Sequence, residues 1–354
     1  MRTYCVMLSM LLLAACSSDD EEVVSQQPSQ KRYPLTIEVA ENPLITEGGE
    51  AATRAAVTTT STLKRFKMNY VYDNDGDISP AASAEVEKDE TVGKWKSDFS
   101  WPEYAVGDAT SPEKSDIQVS WYAYAPYTNK DGEFQANNGS PYITFQIDEN
   151  SNTTKDLLVS KKTDTWKNCQ GHLFFSFDHA CAALRFYLKK ATNINDYTLS
   201  ISKVKLYNVI NKGNYYFNNN SPWSLLESRT NYTLYESSTS KDFGSSEYQL
   251  LQLEEGSSTE SGHEETSYHF VIPQTLTAWD KATDITPNTA QNFCYLELEC
   301  SIVKSSDSSN SNVFSGTAYY PFGTDNLTAG YQYDVKINIG KNSLYSSANT
   351  KIIN

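Results

Sequence analysis

Basic residues are scarce relative to acidic residues in this chain of 354 residues. Lys and Arg total 29 against 44 Asp and Glu, which gives a formal net charge of −15. Nucleic-acid binding and attraction to an anionic membrane surface both need clustered Lys and Arg, so the composition argues against both. The acidity mainly favours solubility.

Catalytic and cofactor motifs are also lacking. The sequence has no Gly-x-Ser-x-Gly elbow, no phosphate-binding glycine loop and no dinucleotide fingerprint. His263 and His269 are six residues apart and cannot share a helical face as paired zinc ligands. The Asp73–Asp77 run has its glycine in fourth place, where a calcium loop needs it sixth, and therefore predicts a solvated turn. We predict no enzyme activity, cofactor or metal site.

Long apolar runs are absent except at the N-terminus. Val6–Ala15 is apolar, follows a basic start, is too short to span a bilayer as a helix, and ends in Leu-Ala-Ala-Cys. Small residues leading into Cys16 form the lipobox of a bacterial lipoprotein signal. We therefore predict that residues 1–15 are removed, that lipid on Cys16 holds the protein at the outer membrane, and that residues 16–32 form a tether.

Four cysteines lie in the predicted folded part. Cys294 and Cys300 share the apolar face of one alternating run, roughly 20 Å apart in a strand, so core thiols are the simplest interpretation. Cys169 and Cys181 are compatible either with a disulfide across a hairpin or with free thiols. With two nearby histidines, this pair also offers zinc-ligand residue types, but a predicted strand divides them and favours core and turn positions.

Runs of helix-forming residues are lacking, whereas Tyr, Ser, Thr and Asn are abundant, which favours strands. Short alternating segments between turn-rich inserts predict an all-β chain of two tandem antiparallel β-sandwich domains, residues 33–190 and 191–354. The predicted strands are Tyr33–Val39, Phe66–Tyr72, Ile117–Ala125, Tyr142–Ile147, Asp156–Ser160, Leu173–Phe177, Ala182–Leu188, Leu199–Val209, Tyr248–Leu253, Tyr268–Ile272, Phe293–Val303, Ser315–Tyr320 and Tyr331–Ile339.

Aromatic residues cluster in the first predicted domain and allow two interpretations. Trp95, Trp101, Trp121, Tyr122 and Tyr124 are suited to a sugar-stacking platform, but such residues more often fill a sandwich core and its edges. The platform interpretation corresponds to a rival function, a monomeric surface glycan-binding lipoprotein.

Several segments, in order, resemble the fimbrillin family, the two-domain lipoprotein pilins also called type V pilins. The most specific is Phe177–Phe186, which is similar to the family run F-x-H-x-x-A-x-L-x-F through His179, Ala182, Leu184 and Phe186. The other matching segments are Val119–Pro126, Asp156–Ser160, Val271–Gln274 and Leu327–Val335. Because His179 is out of phase with the inward residues that follow it, we expect a bulge there and a structural imidazole held by a backbone partner.

The resemblance implies Greek-key, transthyretin-like sandwiches and a subunit of a cell-surface fimbria. It also implies that an Arg-specific protease cuts after Arg54, before Ala55, and so removes a first strand within about residues 33–54. Arg65 is a poorer second site because it adjoins an apolar strand. A strand from another fimbrillin subunit would then fill the vacated edge by β-augmentation.

The C-terminal tail bears on the position in the fimbria. Residues 341–354 offer only a short and weakly apolar donor strand. We therefore favour a tip or accessory subunit, whose further partner would be a host or bacterial surface ligand. A fimbrial anchor that is never cut is the other alternative.

Overall fold

Strands make up most of the chain that the computed structural model describes, and helix is confined to short turns. The described residues are 33–42, 45–46, 63–74, 77–126, 134–136, 140–147, 156–250, 268–281, 293–305, 312–348 and 350–353. In chain order the strands are β1 (Thr36–Glu41), β2 (Ile45–Thr46), β3 (Arg65–Asn74), β4 (Asp77–Asp89), β5 (Lys94–Ser97), β6 (Gln118–Ala125), β7 (Phe134–Gln135), β8 (Tyr142–Gln146), β9 (Leu158–Thr165), β10 (His172–His179), β11 (Ala182–Lys190), β12 (Tyr197–Ile210), β13 (Lys212–Tyr216), β14 (Trp223–Leu225), β15 (Arg229–Phe243), β16 (Tyr248–Gln249), β17 (His269–Val271), β18 (Tyr295–Lys304), β19 (Asn312–Pro321) and β20 (Tyr331–Ile339). The helical turns in the described residues are α1 (Trp166–Cys169) and three 3-10 turns, Glu103–Ala105, Pro112–Asp116 and Thr192–Ile194.

These strands form four sheets within the described residues. The first sheet has the order β1-β10-β9-β6-β3-β4-β5. The second has the order β16-β11-β20-β2, with β17 also paired to β11. The third is β15-β12-β18-β19 and the fourth is β14-β13-β8-β7. β1 and β2, which the chain reaches first, therefore both lie at the edge of a sheet.

Alternating side chains place the core on the faces of these sheets. In β10, Leu173, Phe175 and Phe177 are buried while the residues between them are more exposed. They belong to a buried cluster on one face of the first sheet that also contains Phe66 and Trp121. A second and larger cluster joins the first and fourth sheets to the second and third. Between them, the two clusters bury both faces of β6 from Trp121 onward.

The predicted all-β sandwich class is confirmed, and most neighbouring strands are antiparallel. Three pairs are parallel instead: β1 with β10, β2 with β20, and β11 with β20. Local alternation reports which side of a strand is buried but carries no information about the direction of a partner far away in the sequence. The prediction of antiparallel sandwiches did not anticipate these parallel pairs for this reason.

Two long strands were not predicted. These are β4, which spans thirteen residues, and β15, which spans fifteen. The second half of β15, from Glu236 to Asp242, is polar and almost entirely exposed, so it has no apolar period to recognise.

Residues 33–354 form one compact unit. Among the described residues, five strand pairings cross the predicted boundary at residue 190: β2 with β20, β8 with β13, and β11 with β16, β17 and β20. The division into two sandwich domains at that residue stays a prediction.

Candidate functional site

The first two strands, β1 and β2, lie along the edges of two different sheets. Beside β10, the Thr36 amide donates to the Gly171 carbonyl at 2.9 Å and the Asn42 amide donates to the Phe177 carbonyl at 2.8 Å. A few residues later, the Ile45 amide donates to the Gly330 carbonyl at 2.8 Å, at the start of β20. One short stretch of chain therefore covers the free edge of both sheets.

Few side chains of β1 enter the core. Ile37 is 6% exposed and belongs to the buried cluster of the first sheet, and Val39 packs against that cluster while partly exposed. Thr36 and Glu38 face solvent. This alternation is typical of an edge strand that covers a core with one face.

Glu41 shares the phase of Ile37 and Val39, so an acidic side chain points inward at the end of β1. Its Oε1 lies 3.3 Å from Nε2 of His179, and the two side chains are 4% and 1% exposed, respectively. No described group donates a hydrogen bond to either Glu41 carboxylate oxygen. The ion-pair contact with His179 is therefore the main compensation for burying this acid.

The other ring nitrogen of His179 also faces a carboxylate. Nδ1 hydrogen-bonds with Asp156 Oδ2, and the Cys181 amide donates to Asp156 Oδ1 at 3.1 Å. Asp156 lies two residues before β9 and its side chain is completely buried. A backbone partner was predicted for His179, and a hydrogen bond with the Asn42 backbone is one of the interactions that raise its pKa; side-chain carboxylates from two other segments hold the ring as well.

Burial and charge act in opposite directions on the titration of this cluster, which we call the Glu41–His179–Asp156 cluster. Burial raises the pKa of Glu41 to about 7, with His179 opposing the shift and Asp156 adding to it. Burial lowers the pKa of His179, but Asp156 and Glu41 together raise it above its ordinary value. Burial also raises the pKa of Asp156, against the hydrogen bond from His179.

The cluster sits where the chain passes from the first sheet to the second. His179 ends β10, and β11 begins at Ala182. Between them, the Ala180 carbonyl accepts from Trp223 Nε1 at 2.7 Å, and the Cys181 carbonyl accepts from the Gly330 amide at 2.8 Å. The expected bulge is thus replaced by a crossing between sheets, and no register shift occurs in the β9–β10 pairing.

The remaining residues of the predicted motif lie in β11. Ala182, Leu184 and Phe186 are fully buried in the larger core cluster. The structure therefore places His179 beside the first strand and places the other three in the second sheet.

Several predicted site residues lie outside the described part of the chain. These are Cys16, Arg54 and Ala55. The alternative cutting position, Arg65, is described: it begins β3 and pairs with Glu87 of β4.

The aromatic residues favour the core interpretation over a sugar platform. Trp101, Trp121, Tyr122 and Tyr124 are at most 3% exposed, and only Trp95 of the five is partly accessible. A surface that stacks sugars must be exposed, so these side chains do not provide one.

The four described cysteines are free thiols, and all but Cys169 are buried. Among the described residues, no three His, Cys, Asp or Glu side chains are grouped so that they could hold a metal ion. Within the same residues, no helix combines the length and the apolar character that crossing a bilayer requires.

The C-terminal tail is packed against the rest of the chain. Leu344 and Ile353 are at most 2% exposed and belong to the larger core cluster. Tyr345 exchanges two backbone hydrogen bonds of 2.9 Å with Tyr319 in β19, and it also bridges to Lys351.

Sequence reasoning did not single out Glu41 or assign a role to Asp156. A signal for Glu41 was available, because it continues the inward phase of Ile37 and Val39 and an acid in that phase needs a partner. Asp156 gave no such signal, since its partner lies 23 residues away across a crossing between sheets.

Comparison with known proteins agrees with this architecture. A fimbrillin-like family model matches residues 108–352. A fimbrial protein from Bacteroides vulgatus shares 17% identity and a TM-score of 0.53, with 86% of this chain and 95% of that chain covered. A proposed cell adhesion protein from Bacteroides uniformis shares 13% identity and a TM-score of 0.43, with 90% and 96% covered. No curated protein matches this chain. Since the family model spans more than half of its length, the chain belongs to the fimbrillin-like family.

Proposed function

We propose that this chain is a fimbrial subunit exported as a lipoprotein through Cys16 and assembled by exchange of its first strand. Membership of the fimbrillin-like family supports a fimbrial or adhesin subunit at the cell surface. The observation that carries the finer proposal is the position of residues 36–46 on the edges of two sheets. Both strands of this segment are at an edge, so they can leave without breaking the order of the remaining strands.

Cutting after Arg54 would separate this segment from β3. Arg54 falls in the sequence between β2 and β3, whereas Arg65 is paired within β3 and is a poor protease substrate while the sheet is intact. Loss of β1 and β2 would leave unpaired backbone groups on β10 and β20 and would uncover the pocket of Ile37. A strand from another subunit would restore these interactions, and this pairing would drive assembly without a nucleotide.

The packing of the tail supports a tip or accessory position. Residues 341–353 would have to give up the buried side chains of Leu344 and Ile353 before serving as a donor strand. Such a subunit accepts a strand readily and donates this segment only at a high cost in stability.

The experiment mixes purified precursor with an Arg-specific protease and follows cleavage and the formation of ladders that resist mild denaturant. Arg54→Ala is expected to abolish both, and the matched control Arg65→Ala is expected to leave both intact. Unchanged cleavage and incorporation of Arg54→Ala into fimbriae would contradict processing at this site.

A further inference from the structure

We propose that the His179–Asp156 pair is a recognition site for an acidic side chain on whichever strand occupies the edge of β10. In the chain as synthesised this acid is Glu41; after exchange it is an Asp or Glu of the incoming strand. The inference deepens the proposed function, since it specifies the chemistry of the strand that can replace β1.

His179 is buried together with both of its acidic neighbours. His179 is 1% exposed at its side chain, and its Nε2 faces Glu41 while Nδ1 is engaged by Asp156. If β1 leaves, Nε2 loses its carboxylate but stays at the crossing between the two sheets, where Ala180 and Cys181 are held by Trp223 and Gly330. An apolar residue in the place of Glu41 would leave the buried imidazole without the second carboxylate that supports its positive charge, which is costly.

The charges of the cluster also affect which strand can enter. The ionisable groups that meet here are Glu41 from β1, His179 from β10, Asp156 before β9 and the Cys181 thiol before β11. Burial raises the pKa of the Cys181 thiol well above its ordinary value, so it contributes no negative charge at neutral pH. The positive charge of a protonated His179 is balanced by the Asp156 carboxylate. A second acid, brought in by the edge strand, is therefore buried most easily in its protonated, neutral form.

The spacing of two inward side chains on β1 sets a further requirement for the incoming strand. Ile37 fills the core four residues before Glu41, and both lie on the inward face of β1. An incoming strand in this place should therefore carry an apolar residue for the Ile37 pocket and an acid at the cluster, separated by the same distance along the strand. Two such features give the edge a selectivity that backbone pairing alone does not supply.

The pH dependence has a definite sign. Glu41 has a pKa of about 7 in place, against 4.5 ordinarily, so the seated strand binds its proton more tightly than the free strand does. The contribution of protonated Glu41 is complete below pH 4.5 and is lost as the pH rises through about 7. We expect seating to be at least ten-fold weaker at pH 8 than at pH 5.5.

The test has two arms, neither of which depends on Arg54. In the first arm, the full chain is unfolded in urea at both pH values. Glu41→Gln should lose most of the pH dependence, whereas Glu38→Gln, an identical change on the exposed face of β1, should keep it. If Glu41→Gln and Glu38→Gln show the same pH dependence as the parent chain, acid recognition is refuted.

The second arm uses the full chain with a sequence-specific protease site inserted after Gly48. After cutting, labelled peptides of residues 33–46 compete with the resident segment. The parent peptide and its Glu38→Ala form should bind within two-fold of each other, and the Glu41→Ala form at least ten-fold more weakly. Equal binding of all three peptides overturns the proposal. If none of the peptides binds, strand exchange is refuted, and so is recognition of an acid on an incoming strand. The first arm still decides whether the His179–Asp156 pair recognises Glu41.

Discussion

The two ends of the described chain are attached to the protein in different ways. At the N-terminal end, Thr36–Thr46 lies on sheet edges and places Ile37 and the acid Glu41 in the interior. At the C-terminal end, residues 341–353 fold back on β19 and bury Leu344 and Ile353 in the larger core. The first arrangement suits a segment that can be exchanged, and the second suits one that stays.

The largest loss of stability is expected from a substitution in the C-terminal tail. Leu344→Ala should lower the free energy of unfolding by about 3 kcal/mol, because it removes a fully buried side chain from a core with little room to relax. Urea unfolding measures this, with the exposed Lys351→Ala as control. A loss below about 0.5 kcal/mol would mean that the tail is loosely attached after all.

A smaller and more local effect is expected from the first strand. Ile37→Ala should cost about 2 kcal/mol, the low end for such a truncation, because the strand is at an edge. Hydrogen exchange should accelerate in β1 and β2 while the amides of Tyr345 and Ile352, which donate to Tyr319 and Leu344, keep their protection. Thr36→Ala, on the exposed face, is the control. Equal acceleration at both ends would remove the contrast between them.

The buried cluster offers a third test through titration. Asp156→Asn removes a carboxylate that raises the pKa of His179 and leaves burial, which lowers it. The pKa of His179 should therefore fall. In the parent chain, the stability that comes from the raised pKa is present below pH 6.5 and is lost as the pH rises through the folded value.

NMR titration of the imidazole measures this shift, and Asp178→Asn is the control, since Asp178 bonds to the exposed Asn42 side chain instead. An unchanged His179 titration in Asp156→Asn would show that the hydrogen bond between these two residues does not set its charge.

The smallest effect is expected at the surface pair that joins β11 to β20. Arg185 makes two hydrogen bonds of 2.8 Å to Asp334, but the Asp334 side chain is 40% exposed. Asp334→Asn should therefore cost about 0.5 kcal/mol and less at high salt. A cost as large as that of Ile37→Ala would mean that this pair, rather than the core, secures the sheet beside β2.

Much of the fold follows from local pattern, and the rest depends on distant partners. Alternation in segments such as Leu173–Phe177 predicts both the strand and its buried face. The parallel pairing of β1 with β10 is invisible to that pattern, as is the crossing between sheets at Ala180 and Cys181.

The candidate site, like the fold, could be predicted from the sequence only in part. The motif drew attention to His179, but its role depends on Glu41 and Asp156, which local pattern does not bring together. An inward acid in an alternating strand is the one sequence feature that points toward the cluster.

N-terminal sequencing of the protein recovered from assembled fimbriae tests the exchange of the first strand most directly. We expect a chain that begins at Ala55 and lacks residues 36–46. Molecules that all retain a blocked, lipidated Cys16 would contradict it and would favour an anchor that is never cut or a monomeric binding protein.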